Sequence, residues 1–346
     1  MKILHKILSC TAVLLLLLSS CSKERKAITG EGESATITIS TATRADHAGD
    51  AADRYINSLR VLGYNTTTGE LAFNEEVFGI TTTSTDNKVS FEETINVKTG
   101  KFTVIFIANE HKSSSTSALL SGITPSNNNT ISYLRNTVSF PHGSFDSGKD
   151  IPMVTIKDNI IIQGDNMVID PGSSTPTAVM NRWPVEMERL GIRLDLTLKL
   201  TALQVDEWTK DNGKIYLVNV PGEAFIFPGT DNSGTLLSTD KEYTVSLTPV
   251  GTEGDLSIYK LSRIILPESS FLGLIKANAL TLKLKEGSLT RLGVISAGTA
   301  AKYGTNGYTL PRNTYLDITA EIGEITLAFN ISVLPWEEES MGHELQ

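Results

Sequence analysis

The run Ile192-Arg193-Leu194-Asp195-Leu196-Thr197-Leu198-Lys199-Leu200 sets an apolar residue at every second position. On a helix those side chains would spread around the whole cylinder, whereas on a strand they share one face. Strict period two therefore demands a sheet with one buried side. A second run has Ile325, Leu327, Phe329, Ile331 and Val333 alternating with Thr326, Ala328, Asn330 and Ser332. It stops at Pro335, which cannot donate to a ladder. A third run, Ser34–Ala45, sets Ala35, Ile37 and Ile39 against Thr36, Thr38 and Ser40.

The rest of the chain repeats this theme in shorter pieces. Segments 55–64, 71–78, 89–97 and 154–162 read as strands, separated by clusters of Gly, Asn, Pro and Asp. Phe102–Ala108 is nearly continuous in β-branched and aromatic residues, which marks a central strand. Ala118-Leu119-Leu120, in a polar stretch, is consistent with a short helix. Segment 185–200 reads as one long half-buried strand, followed by strands at 214–220, 242–247, 257–266 and 279–284. Many short strands with few helical patterns imply an all-β chain of sandwiches, and 346 residues are enough for two. Asp170–Pro184 carries three prolines among small polar residues and is the best boundary candidate.

The front of the chain is a targeting segment. Lys2, His5 and Lys6 precede an apolar run too short to span a bilayer, and Leu18-Ser19-Ser20-Cys21 places small residues before a cysteine. This matches a bacterial lipobox, with Cys21 as the lipidated residue. The only other cysteine, Cys10, lies inside the signal, so the exported chain has no disulfide framework. Residues 22–33 read as a polar tether. The strand at 34–45 thus sits between a lipid anchor and a lone arginine, Arg44, the arrangement of a part made to be removed. Residues 1–44 carry six basic and three acidic side chains, so their loss takes the formal net charge from −9 to −12. That acidity argues against nucleic acid as a partner.

Patterns for catalysis are sparse. The five histidines are not spaced as zinc ligands on a helix, and no phosphate-binding or dinucleotide loop is present. Glu75-Glu76 and Glu92-Glu93 fall in strand or loop patterns, where adjacent side chains point to opposite faces. Thr230–Gly234 lacks a full calcium-loop pattern and reads as a polar turn. No enzyme, metal or cofactor is expected.

Several segments together resemble the fimbrillin-type (type V) pilins of Bacteroidales. They are the Leu18–Cys21 lipobox, Thr43-Arg44-Ala45, the Gly100–Glu110 strand leading to Ala-Asn-Glu, and Ile151-Pro152-Met153. Glu188–Arg193, Leu266-Pro267-Glu268, Arg312–Tyr315 and Val333–Trp336 complete the series in order. The resemblance implies a lipoprotein precursor with two transthyretin-like β-sandwich domains, exported to the outer membrane and the cell-surface fimbrium. It implies an arginine-specific protease with Arg44–Ala45 as the candidate scissile bond; Arg25, which precedes the strand, is a poorer candidate, and Arg54 is an alternative that lies closer to the next strand. It further implies a C-terminal donor strand (Ile325, Leu327, Phe329, Ile331, Val333 and Trp336) that fills the vacated groove of a neighbouring fimbrial subunit. The expected division is signal 1–21, tether and removable strand 22–44, first sandwich 45–180, and second sandwich with donor tail 181–346. The expected function is a structural subunit of an adhesive fimbria, with a tip or anchor subunit as the alternative. A surface glycan-binding lipoprotein is the alternative of another class. It would need an aromatic platform, and Trp183, Trp208 and Trp336 are not clustered in sequence.

Overall fold

A computed structural model of the chain describes residues 32–44, 55–80, 83–85, 88–146, 149–173, 180, 182–210, 212–227, 235–268, 276–286, 288–296, 308–322 and 327–335. The chain is all-β with a few short helices. The first strands are β1 (Ser34–Arg44), β2 (Ser58–Asn65), β3 (Leu71–Phe78), β4 (Thr83–Thr85), β5 (Lys88–Lys98) and β6 (Gly100–Ala108). There follow β7 (Ser139–Pro141), β8 (Met153–Gly164), β9 (Met167–Ile169), β10 (Trp183–Glu186) and β11 (Glu188–Arg189). The second half holds β12 (Gly191–Leu200), β13 (Lys214–Val218), β14 (Glu223–Phe225), β15 (Lys241–Thr244) and β16 (Gly251–Glu253). The last are β17 (Leu256–Pro267), β18 (Thr281–Glu286), β19 (Leu289–Val294), β20 (Thr314–Ile322) and β21 (Leu327–Pro335).

The first sandwich packs the sheet β10-β1-β5-β4 on the sheet β11-β8-β6-β2-β3, with β9 added to β8. Between them lies one core, to which Ile37, Ile39, Phe91, Ile95, Val61, Phe102, Val104, Phe106 and Trp183 contribute. As the apolar run at 102–108 predicts, β6 is central and buried on both sides: Ile105 and Ile107 point away from this core into a second cluster. The helix Ser114–Ser121, foreseen from Ala118–Leu120, covers that outer face through Leu120. The second sandwich packs β16-β17-β12-β20-β21 on β15-β13-β18-β19. Its core takes the alternating leucines of β12 together with Leu217, Leu282, Leu316, Ile318 and Trp208.

Three expectations need correction. Segment 185–200 is not one strand. β10 pairs with β1, β11 with β8 and β12 with β17 and β20, so the chain changes sheet twice within it. Period two is preserved through each piece, and a period names a face but not a partner. For the same reason the change of sandwich falls at Leu190–Gly191 and not between residues 180 and 181. Trp183 is drawn into the first core: it is fully buried, edge-on to Phe106 at 5.1 Å, and its indole N–H donates to Asp170 Oδ2 at 3.1 Å. Gly191 makes the turn-over possible, since a Cβ there would stand 3.0 Å from the Leu266 carbonyl oxygen and 3.1 Å from the Phe145 ring. The third correction is of omission. β19, β20 and the helix Ala202–Thr209 were not anticipated, although β20 lies inside its sheet.

A seam joins the two sandwiches. β7 of the first half pairs with β14 of the second. Leu190, Ala224, Ile226, Ile265 and Tyr315 join Leu62, Ile105, Phe140 and Phe145 in one buried cluster. Arg312 donates to the carbonyl oxygens of Phe225 (2.7 Å) and Ile226 (3.0 Å) and pairs with the buried carboxylate of Glu268. Leu190 N donates to Pro152 O, Glu268 N to Leu190 O and Asn313 N to Gly191 O. Four of the segments that carried the family resemblance, around residues 152, 190, 268 and 312, therefore meet at one joint.

Candidate functional site

β1 occupies a slot in the middle of its sheet. It runs antiparallel to β5 over eleven paired positions, Ser34↔Lys98 to Arg44↔Lys88. On its other side Ile39–Ala42 lie parallel to Trp183–Glu186 of β10. Alternation places Ala35, Ile37 and Ile39 between the sheets, where both isoleucines have no exposed surface, while Thr36, Thr38 and Ser40 face outward. Burying an isoleucine side chain contributes roughly 1.5–3 kcal/mol, so β1 is an integral part of the core.

The leading end of the strand is tied down at Thr99. Gly32 N donates to Thr99 O and Thr99 N to Glu33 O, both at 2.9 Å, and Glu33 N donates to Thr99 Oγ1 at 3.1 Å. Gly32 has φ +91°, a conformation that glycine reaches without strain. The trailing end is Arg44, the last residue of the ladder. Ala45, the other side of the expected scissile bond, and Cys21 lie outside the described residues.

β21 sits at the edge of the second sandwich. It pairs antiparallel with β20 over nine positions, Thr314↔Pro335 to Ile322↔Leu327. Phe329 and Ile331 are half-buried against the core, whereas Asn330 and Ser332 are exposed. Leu327 and Val333 belong to this strand; Ile325 and Trp336 lie outside the described residues. The structure thus places the expected donor residues 327–333 on their own chain's edge and does not bring them to β1.

Outside the slot, an ionic triad joins buried Arg60 and Glu110 to half-buried Glu76. Arg60 Nε and Nη2 donate to the two oxygens of Glu110 at 2.6 and 2.8 Å, and Nη2 also meets Glu76 Oε2 at 2.5 Å. Ser117 and Ser121 join it, bonding the helix Ser114–Ser121 to the sheet. Burial, then a hydrogen bond to Glu110, pushes the Glu76 carboxyl up to about 7. Two carboxylates around one guanidinium leave a negative charge uncompensated, so the site favours keeping a proton. Asn109, beside it, has φ +61° and bonds the backbones of Tyr55, Asn57 and Ile151. The Ala-Asn-Glu element is therefore structural. Trp183 and Trp208 are both fully buried, each in a different core, and do not form a platform for a glycan.

Comparison with known proteins adds two findings. Residues 34–141 match the family described as major fimbrial subunit protein (FimA), which is a family of fimbrial subunits and not an enzyme class. No curated protein matches the chain in sequence. In fold, the chain is similar to the tip fimbrial protein Mfa3 from Porphyromonas gingivalis with a C-terminal truncation. That likeness has a TM-score of 0.54 and 15% identity, covering 87% of this chain and 100% of the other. A candidate cell adhesion protein from Parabacteroides distasonis gives a TM-score of 0.54 at 15% identity, covering 88% and 98%. At these identities the likeness is one of fold. Sequence match and fold agree with the resemblance read from the motifs: residues 34–141 match a family of fimbrial subunits, and the fold is similar to that of a fimbrial tip protein and a cell adhesion protein.

Proposed function

We propose that the chain is a structural subunit of a cell-surface fimbria in which β1 is a placeholder. The precursor carries lipid on Cys21 at the outer membrane, an arginine-specific protease cuts Arg44–Ala45, β1 leaves, and the C-terminal strand of a neighbouring subunit takes its place. The observation that carries this reading is the position of β1. It is an interior strand with a fully buried apolar face, yet only a polar tether precedes it and a single arginine ends it. Its loss would leave an apolar groove between β5 and β10 with unpaired backbone on both sides, a structure that calls for another strand. β21 supports the donor role, being at an edge, with Phe329 and Ile331 half-buried where Ile37 and Ile39 of β1 are fully buried.

The test is to incubate the purified precursor with an arginine-specific protease and follow mass and size. The expected result is cleavage after Arg44 followed by growth of oligomers, with Arg44→Ala uncut and monomeric. A chain that is cut completely at Arg44 and stays monomeric would overturn the stalk reading. The second reading is a tip subunit, toward which the likeness to a tip fimbrial protein points. It predicts that the cut chain ends a growing oligomer without extending it.

A further inference from the structure

β10 accompanies β1 only from Ile39 to Ala42. Nearer the front, the same edge of β1 is covered by the turn between β8 and β9, which reaches across from the facing sheet. Thr36 N and Thr36 Oγ1 both donate to Asp165 Oδ1, at 2.7 and 3.1 Å. Thr38 N donates to Asn166 Oδ1 at 2.8 Å, and Asn166 N donates to Thr36 O at 2.7 Å. Asn166 sits at φ +50°, a left-handed position that asparagine tolerates. These bonds continue the ladder where β10 stops, but they differ from a ladder in kind. A backbone acceptor is satisfied by any residue except proline. The Asp165 carboxylate takes a second bond from a side chain, and that bond depends on which residue stands opposite.

We propose that Asp165 and Asn166 are positioning residues, a clamp that fixes the register of whatever strand fills the slot by requiring a side-chain donor at the Thr36 position. The proposal rests on the reading that β1 is exchanged, and its occupant is the C-terminal strand of a second copy, running in the direction of β1. Only shifts by an even number keep that strand's apolar residues inward. They bring Thr326, Ala328, Asn330 or Ser332 to the place of Thr36. Ala328 offers no donor. The amides of Thr36 and Thr38 point at the clamp, so those of positions 37, 39 and 41 point at β5. Asn330 or Ser332 opposite Asp165 would put Pro335 at position 41 or 39, where it breaks the β5 ladder. Thr326 alone supplies a hydroxyl for a hydroxyl and keeps proline out. In that register Leu327 and Phe329 take the places of Ile37 and Ile39. Residues 324–334 then span the eleven positions of β1, and Pro335 falls just beyond.

Cross-linking between cut full-length chains tests this, since both cysteines of the chain precede Arg44. Thr38 stands opposite Thr94, with the hydroxyls 3.1 Å apart. Chains bearing Thr94→Cys are mixed with chains bearing Ala328→Cys or Asn330→Cys, cleaved, assembled and oxidised. The Thr326 register predicts cross-linking to Ala328→Cys in roughly tenfold excess over Asn330→Cys, whose register sets the donor-less Ala328 opposite Asp165, with that selectivity reduced when Asp165→Ala is added. Dominant cross-linking to Asn330→Cys would overturn the register, and selectivity unchanged by Asp165→Ala would overturn the clamp. In the intact precursor, Thr36→Val and Asp165→Ala should be non-additive in unfolding, whereas Thr36→Ser behaves as the parent; additive effects would also overturn the clamp. Coupling in the precursor without any cross-link after complete cutting would overturn strand exchange, and the selective role with it.

Discussion

The substitution Ile39→Ala separates a strand that is part of the fold from one that merely lies on it. Ile39 has no exposed surface and sits in the first core, opposite Glu93 on one side and Trp183 on the other. Truncating a fully buried isoleucine to alanine costs about 2–5 kcal/mol, because the removed methyl groups leave a cavity that neighbours fill only in part. For a unit of this size each kcal/mol moves the melting temperature by about 2–4 °C, so the first sandwich of the precursor should melt roughly 4–20 °C lower. Ser40→Ala, one residue along and facing outward, should stay within about 0.5 kcal/mol of the parent. Thermal unfolding followed by circular dichroism on precursor and cut chain gives both arms. In the precursor the two variants must separate. After cleavage and release of the strand, the Ile39→Ala difference must vanish, because the altered residue has left. A precursor in which both variants melt with the parent would refute the packing argument. A difference that survives cutting unchanged would refute departure of the strand.

Glu76 is held above its ordinary value by burial and by Glu110, so its contribution to stability is complete below about pH 4.5 and is lost as pH rises through about 7. Denaturant titrations across that window should show the parent weakening, and Glu76→Gln should flatten the slope. Arg312→Met removes the partner of the buried Glu268 carboxylate and two carbonyl bonds, and should cost about 3–5 kcal/mol. Limited proteolysis should then find the connection between the sandwiches. Gly191→Ala forces a Cβ to within 3.0 Å of a backbone oxygen and should destabilise by about 1–3 kcal/mol, measured as a lower denaturation midpoint.

Alternation was legible wherever one face of a strand meets a core and the other meets solvent. Ile37 and Ile39 in β1, and the leucines of β12, show their burial directly in their spacing. β20 obeys the same rule through Leu316, Ile318, Ala320 and Ile322, but alanine in place of a larger residue and the tyrosine at its start dilute the pattern. Partnership was not legible at all. That Trp183 pairs in parallel with Ile39 and that Arg312 meets Glu268 depend on contacts 144 and 44 positions apart, and nothing in local period records them. The clamp was hidden for the same reason, since Asp165 and Asn166 read as turn residues and their bonds to Thr36 and Thr38 lie 129 and 128 positions away.

The seam has a mechanical consequence. If copies are joined through the slot, tension enters a subunit along the strand held between β5 and β10 and leaves through its own C-terminal strand. Pulling on the slot strand along its length loads its eleven paired positions together, in shear, and does not unzip them one at a time. The same pull must then cross from one sandwich to the other through the short β7–β14 pair, the Arg312–Glu268 contact and the apolar cluster around Leu190. Forced rupture is governed by the rate of opening and not by equilibrium stability. The breaking strength of such a filament would therefore be set inside each subunit, at this hinge, as much as at the contacts between subunits.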